Sequence, residues 1–202
     1  MELLTAQKAI DHNPLYPAFF KLDKLKMLVV GAGEVGFEKM HFILKSSPNA
    51  NITIVAPWAR TEVAQIIESG KYNIKWIQKE FENRDIIGHD LIIAATNFED
   101  VNKHVHHAAK QYDKLINVAD TPDLCDFYLG SIVTRGHLKV AISTNGKSPT
   151  FAKRFRQVLE EVLPNDSAQL VDNLKIFRDR LKGDFNYKVQ ELNRITSTLV
   201  NK

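Results

Sequence analysis

KMLVVGAGEVGFEKM, residues 26–40, decides how the rest of this chain is read. Residues 26–31 form an apolar run that reads as a buried strand. Residues 34–46 read as a helix with Val35, Met40, Ile43 and Leu44 along one side. Between them stand Gly31, Gly33 and Gly36, a G-x-G-x-x-G spacing directly after a strand and opening a helix. In that context the first glycine permits a tight turn and the second lets backbone approach a pyrophosphate. The third lets helix and strand pack closely. The helix N-terminus adds unpaired N–H groups and the positive end of its dipole. A tight strand-to-helix turn with no ligand remains the alternative.

Outward from this stretch, strands and helices alternate. Residues 51–56 (NITIVA) read as a strand closed by Pro57, and 59–69 as a helix. Strands follow at 72–79 and 90–95, then a helix over about 99–112 with Val101, Val105, Ala108 and Tyr112 on one stripe, then a strand at 115–119. Such alternation predicts an α/β fold, a Rossmann-type doubly wound parallel sheet covered on both faces. After Asp120 the rhythm changes. Residues 128–134 and 138–143 read as two strands with a hairpin turn at Arg135-Gly136. From Ser148 onward the period is helical. One stripe holds Phe151, Phe155, Val158 and Val162, and a second Leu170, Leu174, Phe177 and Leu181. Phe185, Val189, Leu192 and Leu199 make a third. The expected division is therefore a nucleotide-binding domain over 1–120, a small β region over 121–147 and a helical domain over 148–202.

The carboxylate that usually holds the adenosine ribose should stand at the end of the second strand. TIVAPWAR (53–60) offers none, and the first acid is Glu62. The rule that separates NAD from NADP therefore decides nothing here. Arg60 could meet a 2′-phosphate or simply be the solvated start of a helix. The adenosine side of a nucleotide would rest on Pro57, Trp58 and nearby backbone.

Bulk composition narrows the function classes. The 202 residues are 44% hydrophobic and 25% charged, with a net charge of +3. Basic and acidic residues are interspersed along most of the chain, so nucleic acid is not an expected partner. No run approaches a membrane span, and no basic segment followed by an apolar one opens the chain as a signal peptide would. Cys125 is the single cysteine, which rules out an intramolecular disulfide and leaves no cysteine-based metal site. A reducing, cytoplasmic setting is expected.

Five separated segments carry a more specific signal. They are PAFFKLDKLKMLVVGAGEVGFEKMHFIL, TIVAP, DLIIAATNFEDVNKHV, INVADTPDLCDF and LKVAISTNGKSPTFAKRFRQVLEEVLP, in that order over about 14–164. Together they resemble the siroheme synthase N-terminal module family, the precorrin-2 dehydrogenases, some of which are also sirohydrochlorin ferrochelatases. The resemblance implies a homodimer that oxidises precorrin-2 to sirohydrochlorin with NAD, and in some members inserts ferrous iron. It implies nucleotide contacts at Gly31, Gly33, Glu34, Val35, Gly36, Pro57 and Trp58, and use of NAD despite the missing ribose acid. Rossmann geometry adds Thr96 and Asn97, at the end of the fourth strand. The family's key carboxylate falls on Asp120.

From the residues themselves, Asp120 is well placed, because open α/β sheets bind ligands at the C-terminal ends of their strands. One carboxylate facing a tetrapyrrole could take the proton released on dehydrogenation, or the pyrrole protons displaced by a metal. Capping the turn before Thr121-Pro122 is the alternative role. A polycarboxylate substrate calls for basic partners, and Lys147, Lys153, Arg154 and Arg156 supply them, with Arg135 and His137 on the preceding hairpin. Ser143, Thr144 and Asn145 would add polar contacts. Some of these charges would equally serve as a solvated helix face. His104, His106 and His107 read as histidines of an exposed helix rather than ligands, and no resident metal is expected. Gly130-Ser131 stands where the family usually has a proline before the small residue, which should affect local rigidity more than chemistry. Two other functions compete with the dehydrogenase: a nucleotide sensor of the kind found in potassium-channel regulatory domains, and an oxidoreductase acting on another polyanion.

Overall fold

The computed structural model describes residues 13–197. Leu199, the last member of the third apolar stripe, lies outside them. The chain divides into two compact units, Met1–Leu129 with Ser143–Ser148, and Gly130–Ile142 with Pro149–Lys202.

The first unit is built on five parallel strands: β1 (Lys26–Val30), β2 (Asn51–Val55), β3 (Ile74–Ile77), β4 (Leu91–Ala94) and β5 (Leu115–Val118). Their order across the sheet is β3-β2-β1-β4-β5. The chain winds outward from β1 to one edge and then crosses to the other, so the crevice between β1 and β4 is the topological switch point. Three helices cover the faces: α1 (Glu34–Ser46), α2 (Thr61–Glu68) and α3 (Glu99–Gln111). Alternation along the strands sorts the core into two layers. Met27, Val29, Ile52, Ile54, Leu91 and Ile93 face Met40, Ile43, Leu44 and Val63 of α1 and α2. Leu28, Val30, Ile92, Ala94, Ile116 and Val118 face Val105, Ala108 and Ala109 of α3. Burial on both faces explains why these strands read as unbroken apolar runs. β3 is shorter than the expected 72–79, ending before Lys79, which turns to ion-pair with Asp85 at 2.9 Å.

The second unit holds an antiparallel hairpin, β6 (Ser131–Arg135) and β7 (Leu138–Ile142), and three helices, α4 (Pro149–Val162), α5 (Ser167–Arg180) and α6 (Phe185–Thr196). Arg135 pairs with Leu138, so the turn is Gly136-His137, one residue later than Arg135-Gly136. Gly136 takes φ +56°, the left-handed value two-residue hairpins favour at their first position. Arg135 stays on the strand, and its Nη2 donates to the Glu160 carbonyl at 2.6 Å. Gly130 leaves no room for a side chain, because a Cβ there would stand 2.5 Å from the Ile142 carbonyl oxygen. Among the described residues no helix is long and apolar enough to cross a membrane.

Candidate active site

The glycine loop joins β1 to α1 at the C-terminal edge of the sheet. Gly31 has φ +107°, and a Cβ on it would lie 2.5 Å from the Ala95 carbonyl oxygen just beyond β4. A Cβ on Gly36 would lie 2.3 Å from the Gly31 carbonyl oxygen. Gly31 therefore excludes every other residue by backbone conformation and by close approach, and Gly36 by close approach alone. Gly33 differs, since a Cβ there would meet only the Trp58 ring edge at 3.5 Å. Its bareness serves approach from outside rather than internal packing. No side chain caps α1 at Gly33, so the N–H groups of its first turn, Glu34 and Val35 among them, are left for a ligand. This cradle fits a pyrophosphate.

The bend after β2 supplies the next wall. The Ala56 carbonyl accepts from Trp76 Nε1 at 3.1 Å and the Pro57 carbonyl from Gln78 Nε2 at 3.2 Å. These bonds fix the backbone and leave Pro57 and Trp58 exposed, Trp58 beside Gly33. At the end of β4, Thr96 is fully employed. Its N–H and hydroxyl both reach Asn102 Oδ1, at 3.1 and 2.8 Å, and its carbonyl accepts from Asn102 Nδ2 at 3.0 Å. Asn102 is buried, and this three-bond clasp satisfies its amide. Asn97 is the exposed member of the pair.

Asp120 follows β5 with φ +57°, in the left-handed region. Asp tolerates that conformation better than most residues, yet a non-glycine there is uncommon and points to a constrained turn. Its carboxylate is exposed and accepts no hydrogen bond among the described residues, so it does not cap the turn that follows. The turn is held from behind. Val118 N–H donates to Cys125 Sγ at 3.2 Å, and the thiol donates back to the Val118 carbonyl at 3.2 Å. Burial pushes the Cys125 thiol above its ordinary pKa, which keeps it a donor. Asn117 Nδ2 donates to the Phe127 carbonyl at 2.8 Å, and Asp126 accepts Ile116 N–H at 2.9 Å while pairing with Lys110. The sequence reading passed over Asn117, Cys125 and Asp126 as supports; INVADTPDLCDF carried the signal, since polar residues recur there on both sides of the turn.

The same unit contains the loop from Ser143 to Ser148. Asn145 has φ +52°, its N–H donates to Ser143 Oγ at 3.2 Å, and Ser148 N–H donates to Thr144 Oγ1 at 3.1 Å. Lys147 is exposed at its tip. In the second unit, Lys153 and Arg154 are exposed on α4, Arg154 reaching Gln157 at 3.0 Å. Arg156 is half-buried and ion-paired with Glu160 one turn on. Arg135 is likewise spent on the α4 backbone, and His137 lies 3.5 Å from Asp172. His104 and His107 are exposed on α3, with His104 Nε2 2.7 Å from Asn83 Oδ1, while His106 is half-buried.

A glycine cradle at the switch point of a doubly wound sheet defines a dinucleotide-binding protein. The family profile described as "Putative NAD(P)-binding" matches residues 18–131, more than half the chain, and the chain belongs to that family. A second profile, "Sirohaem biosynthesis protein central", matches 135–161, and the two in succession make up the N-terminal module that the sequence motifs resemble. The siroheme synthase of Pseudoalteromonas atlantica is 36% identical over 85% of this chain and 36% of its own length. That of Actinobacillus succinogenes is 34% identical over 92% of the chain and 38% of its length. The chain thus spans little more than a third of these curated relatives. The solved structure of SirC, a precorrin-2 dehydrogenase, superposes with a TM-score of 0.72 at 27% identity, covering 90% of this chain and 89% of that one.

Proposed function

We propose that this protein oxidises precorrin-2 to sirohydrochlorin with NAD. The observation that carries the proposal is the carboxylate of Asp120, exposed and without a hydrogen-bond partner among the described residues, held in a left-handed turn at the ligand-binding edge of the sheet. Likeness to SirC over nearly the whole of both chains supports it. The backbone of Gly31, Gly33, Glu34, Val35 and Gly36 would bind the pyrophosphate, Pro57 and Trp58 the adenosine, and Thr96 and Asn97 would border the nicotinamide. Bound NAD supplies the hydride acceptor. Removing a hydride from one carbon leaves a proton to be lost, and Asp120 takes it as general base. Of the basic residues, the exposed Lys147, Lys153 and Arg154 are assigned to substrate carboxylates, with Ser143, Thr144 and Asn145 as polar contacts. Arg156 would have to give up Glu160 to join them.

The proposal includes a homodimer. Phe151 and Phe155 are 59% and 42% exposed and Val158 and Val162 are 49% and 69%, one continuous apolar stripe along α4. Burying it would gain about 1 kcal/mol or more per side chain, and a second copy of the chain is the partner assigned to it. Ferrous iron enters as a second substrate: inserting it displaces pyrrole protons, which the same carboxylate could accept.

Anaerobic incubation with precorrin-2 and NAD tests the proposal, followed by absorbance of sirohydrochlorin and NADH, with ferrous iron added afterwards. Asp120→Asn keeps a residue that tolerates positive φ, so the fold should stand while turnover falls by about 100-fold or more. Turnover unchanged by this substitution would remove Asp120 from the chemistry. Nucleotide binding with no turnover at all would favour the sensor. Siroheme above the spontaneous rate would add the chelatase.

A further inference from the structure

The missing ribose acid at the end of β2 leaves open what selects the nucleotide, and Arg60 stands close to the place where that acid would be. Its N–H donates to the Ala32 carbonyl at 2.9 Å, tying it to the glycine loop. Its Nε donates to Glu62 Oε2 at 2.7 Å, and its Nη1 pairs with Glu34, the first residue of α1. The guanidinium carbon lies 5.6 Å from the centre of the Phe37 ring, so one face is covered as well. Only a third of the side chain is exposed.

Resting on the dinucleotide reading, we infer that the Glu34–Arg60–Glu62 bridge is the cofactor-selecting element, admitting NAD and refusing a 2′-phosphate. Two carboxylates and one guanidinium leave the cluster with a net negative charge. A 2′-phosphate would face both carboxylates, and the arginine that could neutralise it is already committed on two edges and a face. Binding it would require Arg60 to abandon both acids. A ribose with free 2′- and 3′-hydroxyls requires nothing of the kind, because hydroxyls donate to carboxylates. The acid absent from β2 is thereby replaced from the starts of two helices, Glu34 on α1 and Glu62 on α2.

Calorimetric titration of NAD and NADP into the intact protein, Glu62→Gln, Arg60→Ala and the double variant tests this. The wild type should bind NAD at least about tenfold more tightly than NADP, and Glu62→Gln should narrow that ratio by about tenfold, through tighter NADP binding. Adding Arg60→Ala to Glu62→Gln should take the gain away, since the freed guanidinium is what receives the phosphate. NADP binding as tightly as NAD to the wild type would overturn the inference, as would an NADP affinity unmoved by Glu62→Gln. Failure of both nucleotides to bind any form would overturn the dinucleotide site itself, and this inference with it.

Discussion

The two units spend the same kind of residue differently. In the first, Leu28, Ile92, Ile93 and Ile116 are entirely inaccessible, and β1, β2 and β4 contribute buried residues to both of two closed layers and β5 to one. In the second, Val133 and Ala152 are the only buried hydrophobic residues among those described. Phe151, Phe155, Ile176, Phe177 and Phe185 remain well exposed. A five-stranded sheet offers two broad faces for helices to cover, whereas a two-stranded hairpin offers too little surface to bury three amphipathic helices. The first unit is thus a finished core, and the second a set of apolar faces that stay exposed among the described residues.

Matched truncations give the largest contrast. Ile92→Ala, at the centre of the sheet, should cost about 3–4 kcal/mol. Phe177→Ala on α5, already 38% exposed, should cost about 1 kcal/mol or less in dilute protein. Both tryptophans, Trp58 and Trp76, lie in the first unit, so denaturation followed by fluorescence reports that unit and helical circular dichroism reports the other as well. Equal costs would erase the comparison.

A charge on the α4 stripe comes next. Val158→Glu would place a carboxylate in the proposed interface between copies and should weaken dimerisation by about 100-fold, read by sedimentation velocity. The fluorescence of the first unit should not change. A dimer indifferent to this substitution would move the interface elsewhere and leave the stripe unexplained.

The fold of the first unit was legible because a sheet buried on both faces writes itself as short apolar runs between helices, and because Gly31 and Gly36 have no alternative residue. The hairpin was legible to within one residue. Its turn shifted because Arg135 has a better use on the strand than in the turn. Less legible was the fate of the tail: the spacing of Phe151, Phe155, Val158 and Val162 announces a face to be covered but not what covers it. At the site, sequence put Asp120 and the glycine loop just beyond the C-terminal ends of their strands, which is where they lie. It missed the bonds from Asn102, Asn117 and Cys125 because those bonds join residues five or more positions apart and depend on the returning chain. It also left Arg60 between two roles, since only the structure brings Glu34, a remote neighbour in sequence, against it.

The smallest effect is a pH dependence confined to the finished core. His89 follows the 3₁₀ turn Asn83–Ile86, and its Nδ1 lies 2.9 Å from the Asp85 carbonyl oxygen, which fixes Nδ1 as the protonated nitrogen of the neutral ring. Burial, chiefly, lowers its pKa below the ordinary histidine value, with Lys26 adding to the effect and Asp90 and Asp85 opposing it. The unfolded chain therefore binds a proton more readily than the folded one. Stability from this group is fully present above about pH 6.5 and is lost as the pH falls from there through the folded value. His89→Gln should flatten the decline in the fluorescence-detected midpoint between about pH 7.5 and pH 5. His106 on α3 shifts in the same direction, by burial first and Lys110 second, so it should account for part of the slope that remains. A slope untouched by His89→Gln would assign the acid sensitivity of the first unit to other groups.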